Sequence, residues 1–227
     1  MKARLGLLVP LMLVLGLLGT AQPTNAQNAS DPDWKGDRHV MPQSYSWLGP
    51  YTPSDTYSIT VVRGKRVPAV LRSLGVVRRE LGRRTPDDAA TWMFDHGNHN
   101  TLMFPAVVQV QRLGHATVIY QPWGFRASTR MRRLSGKGIA ADFGTNVELD
   151  SYATVARRGK VIRMFDVMFK PPRRGALPEE RGLDFGARRQ NQFATAWAFL
   201  ERLTLTHISR EWFEGKHPTY VLRGSAF

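Results

Sequence analysis

Two places where a β-branched run turns back on itself across a short glycine turn constrain this fold more than any other feature. Ala106-Val107-Val108-Gln109-Val110-Gln111 and Ala116-Thr117-Val118-Ile119-Tyr120 flank Leu113-Gly114. Tyr152-Ala153-Thr154-Val155 and Val161-Ile162-Arg163-Met164-Phe165 flank Arg158-Gly159. Strands so closely joined pair antiparallel, because a parallel crossover needs a dozen or more residues between them. Tyr57–Arg63 alternates in the same way and predicts another strand, and Tyr220-Val221-Leu222 predicts a terminal one.

Helix signals are fewer. Val67–Leu74 has Pro68 in its first turn and Gly75 as its stop. Thr85-Pro86-Asp87-Asp88 predicts a helix start, with Thr85 as cap and two acids facing the positive helix end. Ser128–Leu134 predicts a short helix closed at Gly136, and Ser209–Phe213 a further turn. In Gln190–Leu203, Phe193, Trp197, Leu200 and Leu203 recur at helical spacing and mark one apolar stripe. Pro171–Gly175 is a turn or loop. The expected fold class is α+β: a single domain over 45–227, mainly antiparallel sheet built from hairpins, with a few packed helices. A polar, flexible segment over 27–44 precedes it.

The N-terminus carries a different signal. Lys2 and Arg4 precede the uncharged apolar run Leu5–Leu18, and Thr24-Asn25-Ala26 closes a polar stretch with small-x-small. That is the pattern of a secretory signal peptide over 1–26, cut between Ala26 and Gln27. The alternative is membrane anchoring by an uncleaved signal, although Leu5–Leu18 is short for a span and Pro10 interrupts it. With no cysteine in the chain, lipidation at this site is excluded. No later stretch is long and apolar enough to span, so the mature chain is expected to have no transmembrane segment and to be secreted or envelope-associated.

Hydrophobic residues at 42% and charged residues at 22% are the balance of a folded domain, so the charge imbalance is the informative part. Losing Lys2 and Arg4 lowers the net charge only from +14 to +12, and 25 of the 32 basic residues are arginine. Arginine-rich coding bias accounts for this in one reading. In the other, the surface attracts an anionic cell-envelope polymer or an acidic protein. Nucleic acid fits less well, since an exported chain meets it less often and no nucleic-acid-binding motif is present.

The order of several landmarks resembles a bacterial family. Tyr45-Ser46-Trp47, Tyr57–Gly64, Gln121-Pro122-Trp123-Gly124-Phe125-Arg126, Arg163-Met164-Phe165-Asp166, Leu177-Pro178-Glu179-Glu180 and Ala196–Thr204 carry the resemblance. It is to domain-of-unknown-function family 6461, common in actinobacteria, and it covers roughly Tyr45 to Leu222. The family has no established activity, so the resemblance implies no catalytic residues. Its members are expected to be intracellular and acidic, whereas this chain carries an export signal and is strongly basic.

Chemistry-bearing motifs are sparse. Asp95, His96 and His99 form the most ligand-like cluster and are the alternative to the expectation of no metal, although Gly97-Asn98 makes the segment a turn. There is no G-x-S-x-G elbow and no thiol nucleophile. Gly136-Lys137-Gly138 lacks the spacing of a phosphate loop, and no cofactor fingerprint occurs. Glu179-Glu180 are adjacent acids after a proline, which suits a helix start better than a catalytic pair. Asp142, Asp150 and Asp166 are expected near strand ends, as turn or capping acids.

Arginine clusters at 63–66, 78–79, 83–84, 130–133, 157–158, 173–174 and 188–189 offer planar forks for phosphate or carboxylate. Among them Arg126, Arg130, Arg132 and Arg133, with Trp123 as a stacking surface, are the candidate binding residues. These features favour a non-enzymatic binding module for an anionic envelope polymer or an acidic protein over an enzyme. The alternative is a secreted hydrolase whose site matches no standard motif.

Overall fold

The computed structural model describes residues 35–48, 56–101, 103–148, 150–186 and 192–225; the expected signal peptide lies outside them. Its frame is one eight-stranded sheet. The strands are β1 (Tyr57–Arg63), β2 (Val77–Arg84), β3 (Pro105–Leu113), β4 (Ala116–Pro122), β5 (Ile139–Thr145), β6 (Ser151–Arg157), β7 (Lys160–Asp166) and β8 (His217–Ser225). Their spatial order is β2-β8-β3-β4-β1-β5-β6-β7, and every neighbouring pair is antiparallel. The two expected hairpins are present as β3–β4 and β6–β7. At the β6–β7 turn Arg158 and Gly159 both have positive φ (49° and 78°), as a tight two-residue turn requires.

Helices cover both faces of the sheet. α1 (Val67–Leu74) and α3 (Met131–Ser135) lie on one, with Val70, Leu74, Met131 and Leu134 against Val62, Val110, Ile119, Ala140 and Ala156. α4 (Gln192–Thr204) and α5 (Arg210–Glu214) lie on the other, where Phe193, Trp197, Leu200 and Phe213 meet Tyr57, Ile59, Val118, Tyr120 and Phe143. α2 (Pro86–Asp95) packs on that same side, its Ala89 and Met93 against Val107 and Val221. Thr85 caps its start as expected, with Asp88 backbone N–H donating to Thr85 Oγ1, and the Asp88 side chain accepts from the Thr85 backbone N–H to complete a capping box.

The fold departs from the sequence expectations at five points. β2 and β5 are strands that residue preference does not announce, and β5 is central. Asp142 lies in the middle of β5, not at a strand end, whereas Asp166 closes β7 and Asp150 immediately precedes β6. β8 is the last strand in sequence but lies between β2 and β3. Finally, α4 is buried on every side, not along one stripe. It lies between the sheet and an N-terminal strap that is bound from Lys35 onward, ahead of the Tyr45 expected.

That strap is held by α4 itself. Glu201 accepts hydrogen bonds from the Asp37 backbone N–H (2.7 Å) and the Tyr45 hydroxyl (2.6 Å), and pairs with His207 Nδ1 (2.8 Å). Gly36 passes so close that a Cβ would lie 2.5 Å from Thr206 N, so only glycine fits there. Among the described residues no helix is long and apolar enough to cross a membrane.

Candidate functional site

Antiparallel register brings β1, β5 and β6 to one end of the sheet, with Arg63 opposite Ile139 and Ile139 opposite Arg157. Partners in register share a face, so Arg63 and Arg157 both project on the α4 side, two strands and roughly 10 Å apart. The approach to β5 is tight: a Cβ on Gly138 would lie 2.2 Å from Arg63 O. Gly136-Lys137-Gly138 is therefore a close backbone crossing, and it places Lys137 at the same rim.

Above this strand end, α4 ends at Arg202, Leu203 and Thr204, and the strap and a loop over 178–181 approach from either side. A cavity of about 450 Å³ lies between them, lined by Arg38, His39, Arg63, Arg157, Glu179, Arg181, Arg202 and apolar neighbours. A second depression of about 440 Å³ shares Arg63, Arg157 and Leu203 with it and adds Lys137, Gly138 and Arg158. Together they form a groove with seven cations, Arg38, Arg63, Lys137, Arg157, Arg158, Arg181 and Arg202, and one carboxylate, Glu179.

Arg202 sets the shape of the groove. Its guanidinium is buried and donates from Nε to Val40 O (2.8 Å) and from Nη1 to Arg181 O (2.7 Å) and Glu179 O (3.2 Å). One side chain thus clamps both walls through their carbonyls. Among the described residues it has no carboxylate within ion-pair distance. Glu179 is its neighbour but lies 3.8 Å from Arg157, a half-exposed pair of small energetic weight. The adjacent acid points elsewhere: Glu180 grips Arg163 with both oxygens at 2.8 Å, a buried fork that anchors the loop to β7. Glu179 and Glu180 therefore do not act on one point.

The five candidate binding residues separate. Arg130, Arg132 and Arg133 line a depression of about 330 Å³ with Ser128, Thr129, Met131 and Val161, on the opposite face of the sheet from the groove. Arg126 instead donates to Arg223 O (2.8 Å), towards β8. Trp123 packs edge-on against Phe94 (5.1 Å between centroids) in the small core under α2. Three of the five are brought together and two are not.

The alternative metal set is not assembled. His96 stacks on Trp92 at 4.1 Å with its Nδ1 2.9 Å from Trp92 O, while His99 lies edge-on to Phe104. Among the described residues no three His, Cys, Asp or Glu side chains are grouped to hold a metal ion.

Asp142 is the acid that the fold treats differently. It is buried beneath the loop before α3, where it accepts from Thr60 Oγ1 (2.5 Å) and Ser128 Oγ (2.6 Å). Burial pushes its pKa up to about 6, and the two hydroxyls only partly oppose that shift. Both oxygens are occupied by the chain, so its work is to hold the loop.

Of the groove cations, Arg63 and the Arg157–Arg158 pair stand among the sequence's arginine clusters, but Arg38, Arg181 and Arg202 are isolated in sequence and Lys137 carries no distinguishing signal. They meet only because α4 carries the strap and the loop to the strand ends. No family model matches the chain, and no curated protein and no solved structure is found to be similar to it.

Proposed function

We propose that this protein is an exported, non-enzymatic binding module that takes an anionic polymer of the cell envelope in the groove between α4 and the ends of β1, β5 and β6. The observation that carries this reading is the charge: seven cations face one carboxylate in two adjoining depressions. Such a cluster repels itself and is relieved by an anion that several guanidinium forks share. The two depressions in tandem suit an extended chain of phosphates or carboxylates better than a single ion. Export rests on the leader pattern of residues 1–26. A hydrolase reading has less support, because no hydroxyl or thiol side chain lines either depression among the described residues.

Co-sedimentation of the purified protein with cell envelopes, across a sodium chloride series, tests this reading. Inorganic polyphosphate and polyglutamate serve as defined probes, and DNA as a competitor. Binding is expected to fade with salt and to survive excess DNA. The Arg63→Ala/Arg157→Ala double variant should bind roughly tenfold or more weakly, since a charge-assisted hydrogen bond contributes about 1.5–3 kcal/mol. Arg173→Ala/Arg174→Ala, on exposed loop positions, should leave binding unchanged. Equal binding by all three proteins would remove the groove from consideration.

A further inference from the structure

The two edges of the sheet are built differently. β2 is an edge strand guarded by Arg78, Arg79, Arg83 and Arg84, and two register irregularities bend it against its neighbour. Charges and bulges of this kind keep an edge from pairing with another chain. β7, the other edge, has one register irregularity, at Ile162, and no outward-facing charge between Val161 and Phe165. Val161, Ile162 and Met164 are 40%, 37% and 63% exposed, and Tyr152 of the adjoining strand is 43% exposed. The central charge, Arg163, is turned inward onto Glu180. Apart from the bonds to β6, the described backbone reaches β7 only at its end, where Phe169 N–H donates to Asp166 O (3.4 Å).

The surroundings say what kind of segment fits this edge. Register places Tyr152, Met164 and Val161 on the sheet face that α3 partly covers. There the depression lined by Arg130, Arg132 and Arg133 reaches Val161. None of these three arginines forms an ion pair among the described residues. An apolar strand edge beside three uncompensated guanidiniums matches an extended segment that offers apolar side chains and carboxylates together.

We infer that β7 is a docking edge for an acidic, partly apolar protein segment, which adds to the sheet as a ninth strand with its carboxylates on Arg130, Arg132 and Arg133. A second copy of this chain is the poorer occupant, because its β7 offers a single carboxylate, Asp166, to the three arginines. This surface is independent of the groove: it lies on the opposite face, and its ligand is recognised by backbone pairing as well as by charge.

The test uses the purified protein and a fluorescein-labelled octapeptide, Val-Thr-Glu-Thr-Val-Thr-Glu-Thr, whose valines and glutamates share one strand face, read by fluorescence anisotropy. Saturable binding that tightens as salt is lowered is expected. Met164→Asp should weaken it about tenfold or more by replacing an apolar contact with a repelling charge. Arg130→Gln/Arg133→Gln should weaken it several-fold, and Arg63→Ala/Arg157→Ala should leave it unchanged. The same peptide with N-methylated backbone amides should fail to bind, since it cannot form the strand ladder. Circular dichroism of each variant separates lost binding from lost folding. Equal binding of polyglutamate or of the N-methylated peptide would overturn the inference, as charge alone would then suffice. So would no peptide binding, including the case in which light scattering shows a dimer that Met164→Asp abolishes.

Discussion

Replacing Asp142 by asparagine should change the pH dependence of stability more than the stability itself. The carboxyl is fully enclosed, takes two hydroxyl hydrogen bonds, and has its pKa raised from 3.8 to about 6. Between those values the folded protein holds a proton that the unfolded chain has released. The stabilisation linked to that proton is complete below about pH 4, falls as pH rises through 6, and is gone above it. Raising the pKa from 3.8 to about 6 corresponds to about 3 kcal/mol at most.

The substituted amide has no charge to desolvate; one of the two hydroxyls of Thr60 and Ser128 still donates to its oxygen, and the other can rotate to accept from its NH2. Urea unfolding from pH 3.5 to 7.5, followed by tryptophan fluorescence, reads the effect, because Trp197 lies in the core between Tyr45 and Phe213. Other carboxyls titrate in the same window, so the informative quantity is the difference between the two proteins. Wild type should lose about 3 kcal/mol relative to Asp142→Asn as pH rises from 4 to 7. Asp142→Ala should instead lose stability at every pH, about 2–4 kcal/mol, from two unpaired hydroxyls and a small cavity. Parallel stability curves for wild type and Asp142→Asn would refute the assignment of the buried proton to this residue.

Two further substitutions probe the groove's construction. Arg202→Met keeps most of the side-chain volume but strips the donors from the carbonyls of Val40, Glu179 and Arg181, and should cost about 2–4 kcal/mol. Amide hydrogen exchange should then quicken in residues 36–41 and 178–182 together; acceleration in only one of the two would show that Arg202 does not join them. Gly138→Ala forces a methyl to within 2.2 Å of Arg63 O and should destabilise by about 2 kcal/mol or more while weakening polyphosphate binding. A stable variant with unchanged affinity would show that the crossing is not tight.

The contrast between the legible and the illegible elements has a physical basis. β3, β4, β6 and β7 contain β-branched runs and close on glycine turns, so local preference and tertiary structure agree. β5, Ile-Ala-Ala-Asp-Phe-Gly-Thr, is poor in strand formers; its small residues suit a strand covered on both faces, with Ala140 towards α3 and Ala141 towards α4. β2, Val-Arg-Arg-Glu-Leu-Gly-Arg-Arg, has almost no apolar face and is a strand because β8 offers it a ladder. Arg130, Arg132 and Arg133 are adjacent in sequence and remain together in space. Trp123, which reads as a stacking surface, is taken up by the core under α2 because its ring has more to gain there than in water.

The sequence by itself determined the α+β class, the antiparallel hairpins, the caps at Thr85 and Gly75, and the excess of arginine. All but the last depend on residues within a few positions of one another, and the last is a count. Only the tertiary structure decided which arginines act together. Arg38, Arg63, Arg157, Arg181 and Arg202 are spread over most of the chain, and they face one groove because strand register and a fully buried α4 carry them there. The same holds for the edges, where β2 keeps its charges in solvent and β7 turns its central arginine inward onto Glu180. Charge can be counted along a chain, but its direction is set by the partners that burial brings near.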